Sequence, residues 1–136
     1  MIRGLGTDII EIVRVGEMLQ RHEEAFLSRV FTDGEVAYCA EKKNYLQHYA
    51  GRWAAKEAVM KALGTGWAQG VAFSDLEVKS LKSGQPVLVL HGIARTKATE
   101  LGIGEVLITI SHCREYATAT AIAMAQVGPV GSVGSD

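Results

Sequence analysis

Along this 136-residue chain the spacing of apolar residues changes character once, close to Gly64. Before that point apolar residues recur every three or four positions, as on a helix face; beyond it they mostly alternate, as on a strand. Helices early and strands late, with one apolar stretch at the very start, point to an α+β fold rather than a regular βαβ repeat. The opening "IRGLGTDII" is short, apolar and glycine-punctuated, and reads as a strand. Helical spacing follows in "EIVRVGEMLQRH" and again in "EEAFLSRVF", with Glu11 as a first-turn acid near the positive end of the helix dipole. Thr32 and Glu35 form a capping-box pattern that starts "DGEVAYCAEKK". The next helix is expected from about Asn44 to Leu63, ending at Gly64 as a C-cap glycine.

In the second half, "VAFSDLEVKS" and "PVLVLHG" read as strands around a turn at "KSGQP", and "IARTKATELGIG" as a short helix closed by glycine. "EVLITISHC" and "EYATATAIAMA" alternate like a hairpin that turns between His112 and Glu115. The expectation is one domain over residues 1–125, its early helices packed on a single antiparallel-rich sheet that the first strand joins. Residues 126–136 are rich in Gly, Ser, Val and Pro and are expected to be a disordered tail.

A net charge of −1 gives no general attraction to nucleic acid, so any anion binding must come from local clusters. Two cysteines, Cys39 and Cys113, show no metal-ligand or redox spacing, which fits a reducing compartment. No signal-like apolar core follows the N-terminus, and no run approaches the ~20 apolar residues of a membrane span. The expected setting is the cytoplasm, with no membrane contact.

The helix "RWAAKEAVMKALGTG" carries the densest set of chemical groups. At about 100° per residue, Ala55, Ala58, Val59, Ala62 and Leu63 share one arc. Glu57, Lys61 and Trp53 lie opposite, with Arg52 and Lys56 at the edge of the arc. One account is a routine Glu–Lys pair with cations snorkelling beside a core. The other is an anion site, in which Glu57 is one carboxylate for a magnesium ion and the lysines meet phosphate oxygens. Such a site needs a second carboxylate. Asp8, at the end of "GLGTD", is the candidate, since an acid closing an apolar strand is costly to bury unless paired or metal-bound; capping of the next helix is its alternative role.

These motifs occur together and in order. Gly6, Thr7 and Asp8 are followed by Arg14; "VFTDGE" carries Glu35; "RWAAKEA" spans Arg52 to Ala58, with Lys61 and "GTG" after it; Gly84 and Pro86 form a Gly-x-Pro; Ser111 and His112 close the set. Over roughly residues 1 to 125 the chain resembles the holo-acyl-carrier-protein synthases, the small trimeric group of 4′-phosphopantetheinyl transferases. The resemblance implies that group's fold and its reaction. In that reaction 4′-phosphopantetheine moves from coenzyme A to a serine of apo-acyl carrier protein, adenosine 3′,5′-bisphosphate is left, Mg2+ is required, and the product supports fatty acid biosynthesis.

Carried over residue by residue, Asp8 and Glu57 become the magnesium ligands, and Glu57 and Lys61 the catalytic pair. Lys61 meets the diphosphate. Arg52, Lys56, Gly64 and His112 contact coenzyme A, and the general base is Glu57 or water on the metal. Arg14, Met18 and Arg21 lie on one helical stripe and, by the resemblance, dock the carrier protein, with Arg29 extending the patch; a solvated face is the plainer reading. The group is homotrimeric with sites shared between subunits, so some nucleotide contacts are expected from a neighbour. Trp53 stands where Phe is commoner and Gln85 where Lys is frequent. His22, His48 and His91 match no motif and are expected to be surface or structural. A non-catalytic coenzyme A or nucleotide-binding module would keep the cations without needing both carboxylates, and a structural subunit would need neither.

Overall fold

The structure, a computed structural model, describes residues 1–64 and 70–128. Strand β1 (Ile2–Glu11) leads into α1 (Ile12–Val30), α2 (Asp33–Ala40) and α3 (Tyr45–Leu63). A short 3-10 turn at Phe73–Asp75 precedes β2 (Leu76–Ser80) and β3 (Pro86–Leu90). Helix α4 (Gly92–Glu100) and the hairpin β4 (Ile103–His112) and β5 (Tyr116–Ala125) are the remaining elements among the described residues. The α+β class and the hairpin at His112 hold as expected.

Local chemistry accounts for the boundaries. The Thr32 side chain accepts from the Glu35 N–H while the Glu35 carboxylate accepts from the Thr32 N–H, so the capping box is complete. Gly64 ends α3 in the left-handed region at φ 68°. The two helical blocks meet where the sequence pattern breaks, at His22, whose φ −144° and ψ 44° are non-helical, and α1 comprises both across that kink. Glu11 is corrected from a first-turn acid to the last strand residue, an N-cap position without a side-chain cap bond.

The single sheet is also corrected. β5 lies between β1 and β4, all antiparallel, whereas β2 and β3 form a separate hairpin. The hairpin meets the larger sheet through β3, which lies beside β4 with no ladder between them among the described residues, and on its far edge the Val78 N–H of β2 donates to the Glu35 carboxylate at 2.7 Å.

Helix α3 lies across the inner face of the larger sheet. Ala117, Ala119, Ala121 and Ala123 of β5 are buried against a helix whose own Ala50, Ala54, Ala55, Ala58 and Ala62 are buried. Small side chains on both sides allow a close approach. The approach is close at β1 as well: a Cβ on Gly4 would lie 1.9 Å from the Ala62 carbonyl oxygen, and one on Gly6 2.0 Å from that of Ala58. The small residues of "GLGTD" therefore admit the backbone of α3. On another side α1 covers the helix through Phe26, which meets Trp53 and Phe31 edge-on at centroid distances of 5.1 and 5.7 Å. Trp53 is thus 7% exposed and not on an outer face with Glu57 and Lys61, because α3 is enclosed by α1 as well as by the sheet.

Candidate active site

Asp8 sits within β1 on its inner face, paired with Ala119, and not at the strand end; the helix it was a candidate to cap begins only at Ile12. The register is held by the Thr118 hydroxyl donating to the Asp8 carbonyl and the Thr7 hydroxyl donating to that of Ala119. From α3, the Lys61 ammonium donates to Asp8 Oδ1 and to the Thr7 carbonyl, each at 3.0 Å. Lys61 remains largely exposed and Asp8 mostly covered. Glu57, one turn earlier on α3, is half-buried. Burial pushes its carboxyl above the usual carboxylate range, the negative charge of Asp8 adds to this, and Lys61 and Arg14 oppose it in part.

Asp8, Glu57 and Lys61 are therefore brought together from two elements distant in sequence. Two carboxylates that repel each other invite a divalent cation. Among the described residues no cluster of three or more His, Cys, Asp or Glu could hold a metal by itself. That donor set suits magnesium, which takes one or two carboxylates and fills its remaining positions with water and substrate phosphate.

Glu57 also lines a cavity of about 490 Å³ between α1 and α3, together with Arg14, Met18, Arg29 and Trp53. The Arg14 guanidinium lies over the Trp53 ring at 4.9 Å from its centroid. Two members of the basic stripe thus face the carboxylate end of the site, whereas Arg21 lies exposed beside the kink and outside this lining.

Arg52 and His112 line a different cleft, of about 200 Å³, with Tyr38, His48, Ser80 and Pro86. Arg52 is 5% exposed, donates to the Ser80 hydroxyl at 2.9 Å and lies 4.3 Å from the centroid of Tyr38; its Nε is buried without a partner among the described residues. The cleft is electropositive. The Ser80 hydrogen bond and, against the effect of burial, the charges of Arg52 and Lys42 lower the Tyr38 hydroxyl. Burial lowers the His48 imidazole, helped by Arg52, Lys42 and His112. Gly84, at φ 91°, makes the turn that borders this cleft. Tyr38, His48 and Ser80 carried no signal in the sequence: they come from three elements and match no spacing.

Lys56 is corrected from a coenzyme A contact. It is 0% exposed, and its ammonium donates to Glu35 Oε1 and the Val30 carbonyl at 2.6 Å and to the Phe73 carbonyl at 3.1 Å. All three N–H donors are used inside the protein, so none is left for a phosphate. Gly64 stays at the exposed end of α3 near Lys61; the Thr65 and Gly66 of "GTG" lie outside the described residues, as does the tail from 129 to 136.

Residues 4–121 match the model of the 4′-phosphopantetheinyl transferase superfamily, and the chain belongs to that family. It is 48% identical over 121 residues to the holo-[acyl-carrier-protein] synthase of Chlamydia pneumoniae, covering 89% of this chain and 96% of the relative. It is 45% identical to that of Solibacter usitatus over 82% of this chain and 90% of the relative. Its fold is similar to that of a holo-(acyl-carrier-protein) synthase from Bacillus anthracis solved in complex with coenzyme A (3′,5′-ADP). That structure is 34% identical, with a TM-score of 0.76 over 93% of this chain and 99% of that one. The chain is accordingly an enzyme that transfers 4′-phosphopantetheine from coenzyme A to apo-acyl carrier protein.

Proposed function

We propose that the reaction proceeds at the junction of β1 and α3, with Asp8 and Glu57 as ligands of Mg2+ and Lys61 on the diphosphate of coenzyme A. The observation that carries this reading is the convergence of two carboxylates and a lysine at that junction, beside a cavity open to the basic stripe of α1. When bound, the cation supplies charge neutralisation to phosphoryl oxygens in the transition state. The chain's own groups do the rest. Lys61, now on Asp8, turns its ammonium to the diphosphate. The serine oxygen of the carrier protein forms a bond to phosphorus as the bond to adenosine 3′,5′-bisphosphate breaks. Glu57 is the acceptor this chain offers for the serine proton.

The carrier protein docks on α1 through Arg14, Met18 and Arg21, with Arg29 lining the same cavity. Arginines steer an acidic partner and Met18 packs beneath it. Arg52 and His112 take the remaining phosphate of coenzyme A, supported by the positive character of their cleft and the unpartnered Arg52 Nε.

The two clefts lie on different sides of α3, which supports a site completed by a neighbouring subunit in a homotrimer. So does the outer face of the larger sheet. Leu5, Ile9 and Leu107 are 67%, 63% and 49% exposed there, around a row of Thr7, Thr120 and Thr109 paired across the three strands. An apolar sheet face of that kind is ordinarily covered. We place the enzyme in the cytoplasm and in fatty acid biosynthesis; no helix among the described residues is long and apolar enough to cross a membrane.

The test is to mix the protein with coenzyme A, Mg2+ and the host's apo-carrier proteins and weigh the carriers. A gain of one phosphopantetheine is expected, abolished in Glu57→Gln with the fold retained. Full activity in that variant would remove Glu57 from the metal role. Sedimentation that finds a stable, active monomer would refute the shared site.

A further inference from the structure

The buried ion pair of Lys56 and Glu35 needs a reason for being there. A charge pair taken fully out of water recovers little net stability, and an apolar pair of the same volume often does as well or better. What an apolar pair lacks is the power to hold particular backbone groups. The Lys56 ammonium holds two carbonyls as well as the Glu35 carboxylate, and the three acceptors come from three elements. Val30 is the last residue of α1, where helix carbonyls have lost their intrahelical donors. Phe73 opens the 3-10 turn that leads into β2. Glu35 is itself held from both sides, by the Thr32 N–H on Oε1 and the Val78 N–H on Oε2.

The residues pinned in this way matter for the site. Val30 and Phe73 both line the α1–α3 cavity into which Glu57 faces, and Lys56 immediately precedes Glu57 on α3. The kink at His22 also divides α1, so the half that carries Phe26, Arg29 and Val30 does not continue rigidly from the half anchored at β1. Its hold on α3 includes the packing of Phe26 on Trp53 and the Lys56 bond to its final carbonyl.

We propose that Lys56 is a positioning residue for the transfer. Touching neither substrate, it clamps the distal half of α1 and the Phe73 wall to α3, and so sets the width of the cavity between Glu57 and the surface that receives the carrier protein. The inference rests on the reading of that cavity as the carrier-facing side. It separates the two lysines of "KEAVMK": Lys61 acts on the substrate, while Lys56 acts through the backbone of its neighbours.

Two variants separate positioning from mere stability. Glu35→Gln removes the counter-charge but leaves Lys56 able to donate to both carbonyls. The double variant Lys56→Met with Glu35→Gln is neutral, keeps the volume and loses both carbonyl bonds. Each is assayed well below its own unfolding midpoint, with carrier protein and coenzyme A varied in turn and coenzyme A affinity measured separately by calorimetry. Glu35→Gln is expected to keep kcat within about three-fold of the parent. The double variant is expected to lose ten-fold or more in kcat for the carrier protein, with coenzyme A affinity changed less than two-fold. Equal rates in the two variants at a temperature where both are folded would overturn the proposal, as would a parallel loss of coenzyme A affinity. Arg14→Glu serves as the control on the underlying reading. If it impairs carrier transfer while the double variant does not, only the role of Lys56 is wrong; if neither does, the carrier face itself has been misplaced.

Discussion

Substituting alanine for Gly6 tests the fold and the site at once. The glycine is not in a left-handed conformation, so the substitution acts through space alone. Its new Cβ would lie 2.0 Å from the Ala58 carbonyl oxygen, 2.8 Å from the Ala62 amide nitrogen and 2.9 Å from Lys61 Cβ. The first two are backbone atoms of α3 and cannot rotate away, so strand and helix must separate by more than an ångström to restore normal contact. That separation opens the alanine-lined interface along β5 as well, because β1 and β5 are one ladder. Overpacking of a tight core costs about 1–3 kcal/mol and occasionally more; with rigid atoms on both sides the upper end applies, about 3 kcal/mol. For a chain of this size that lowers the thermal midpoint by roughly 10 °C. Activity should fall further than stability, because Asp8 lies two residues along β1 and retreats from Glu57 and Lys61 with it. Gly16→Ala, inside α1, is the control: among the described residues its Cβ would meet only Leu46 Cδ1, at 3.7 Å, and alanine in a helix interior is favourable by roughly 0.8–1 kcal/mol. Calorimetric melting with carrier-loading rates at 25 °C gives both readouts. A Gly6→Ala midpoint within 2 °C of the parent would refute the close-approach argument.

Arg14→Glu should impair transfer to carrier protein and leave coenzyme A affinity intact; equal loss of both would count against docking on α1. In the metal-free protein Glu57 has a folded pKa above its unfolded value, so its ionisation weakens the fold as pH rises through that window. Glu57→Gln should therefore stabilise the apoprotein at pH 8 and have little effect at pH 4, by denaturant titration, and Asp8→Asn should bring the Glu57 carboxyl back toward its ordinary value in an NMR titration. Burial pushes the Cys39 thiol up to about 11 while Cys113 is exposed, so a thiol reagent at pH 8 should label one cysteine in the native protein and two after denaturation. Thr32→Ala removes a cap bond and the hydroxyl donor to Glu77, and should cost about 1–2 kcal/mol in urea unfolding.

Much of the architecture was readable from the chain itself, because its determinants are local. A capping box at Thr32 and Glu35, a glycine after Leu63 and an alternating run on each side of His112 act within a few residues of where they are written. The candidate carboxylates were likewise visible as members of an ordered motif set. What no local signal carried was how many sides of α3 are covered. Helical periodicity fixes the angle between two side chains but not which angles meet solvent, so Lys56 at the edge of the apolar arc and Lys61 opposite it were both candidates for a phosphate. The packing of α1, α2 and the 3-10 turn around one left it with no exposure and the other largely in water. The same enclosure buried Trp53, set Arg52 and His112 in a cleft apart from Glu57, and brought the Glu35 carboxylate onto the Val78 N–H of β2. Those outcomes depend on which distant backbone groups reach a buried side chain, and only the assembled tertiary structure decides that.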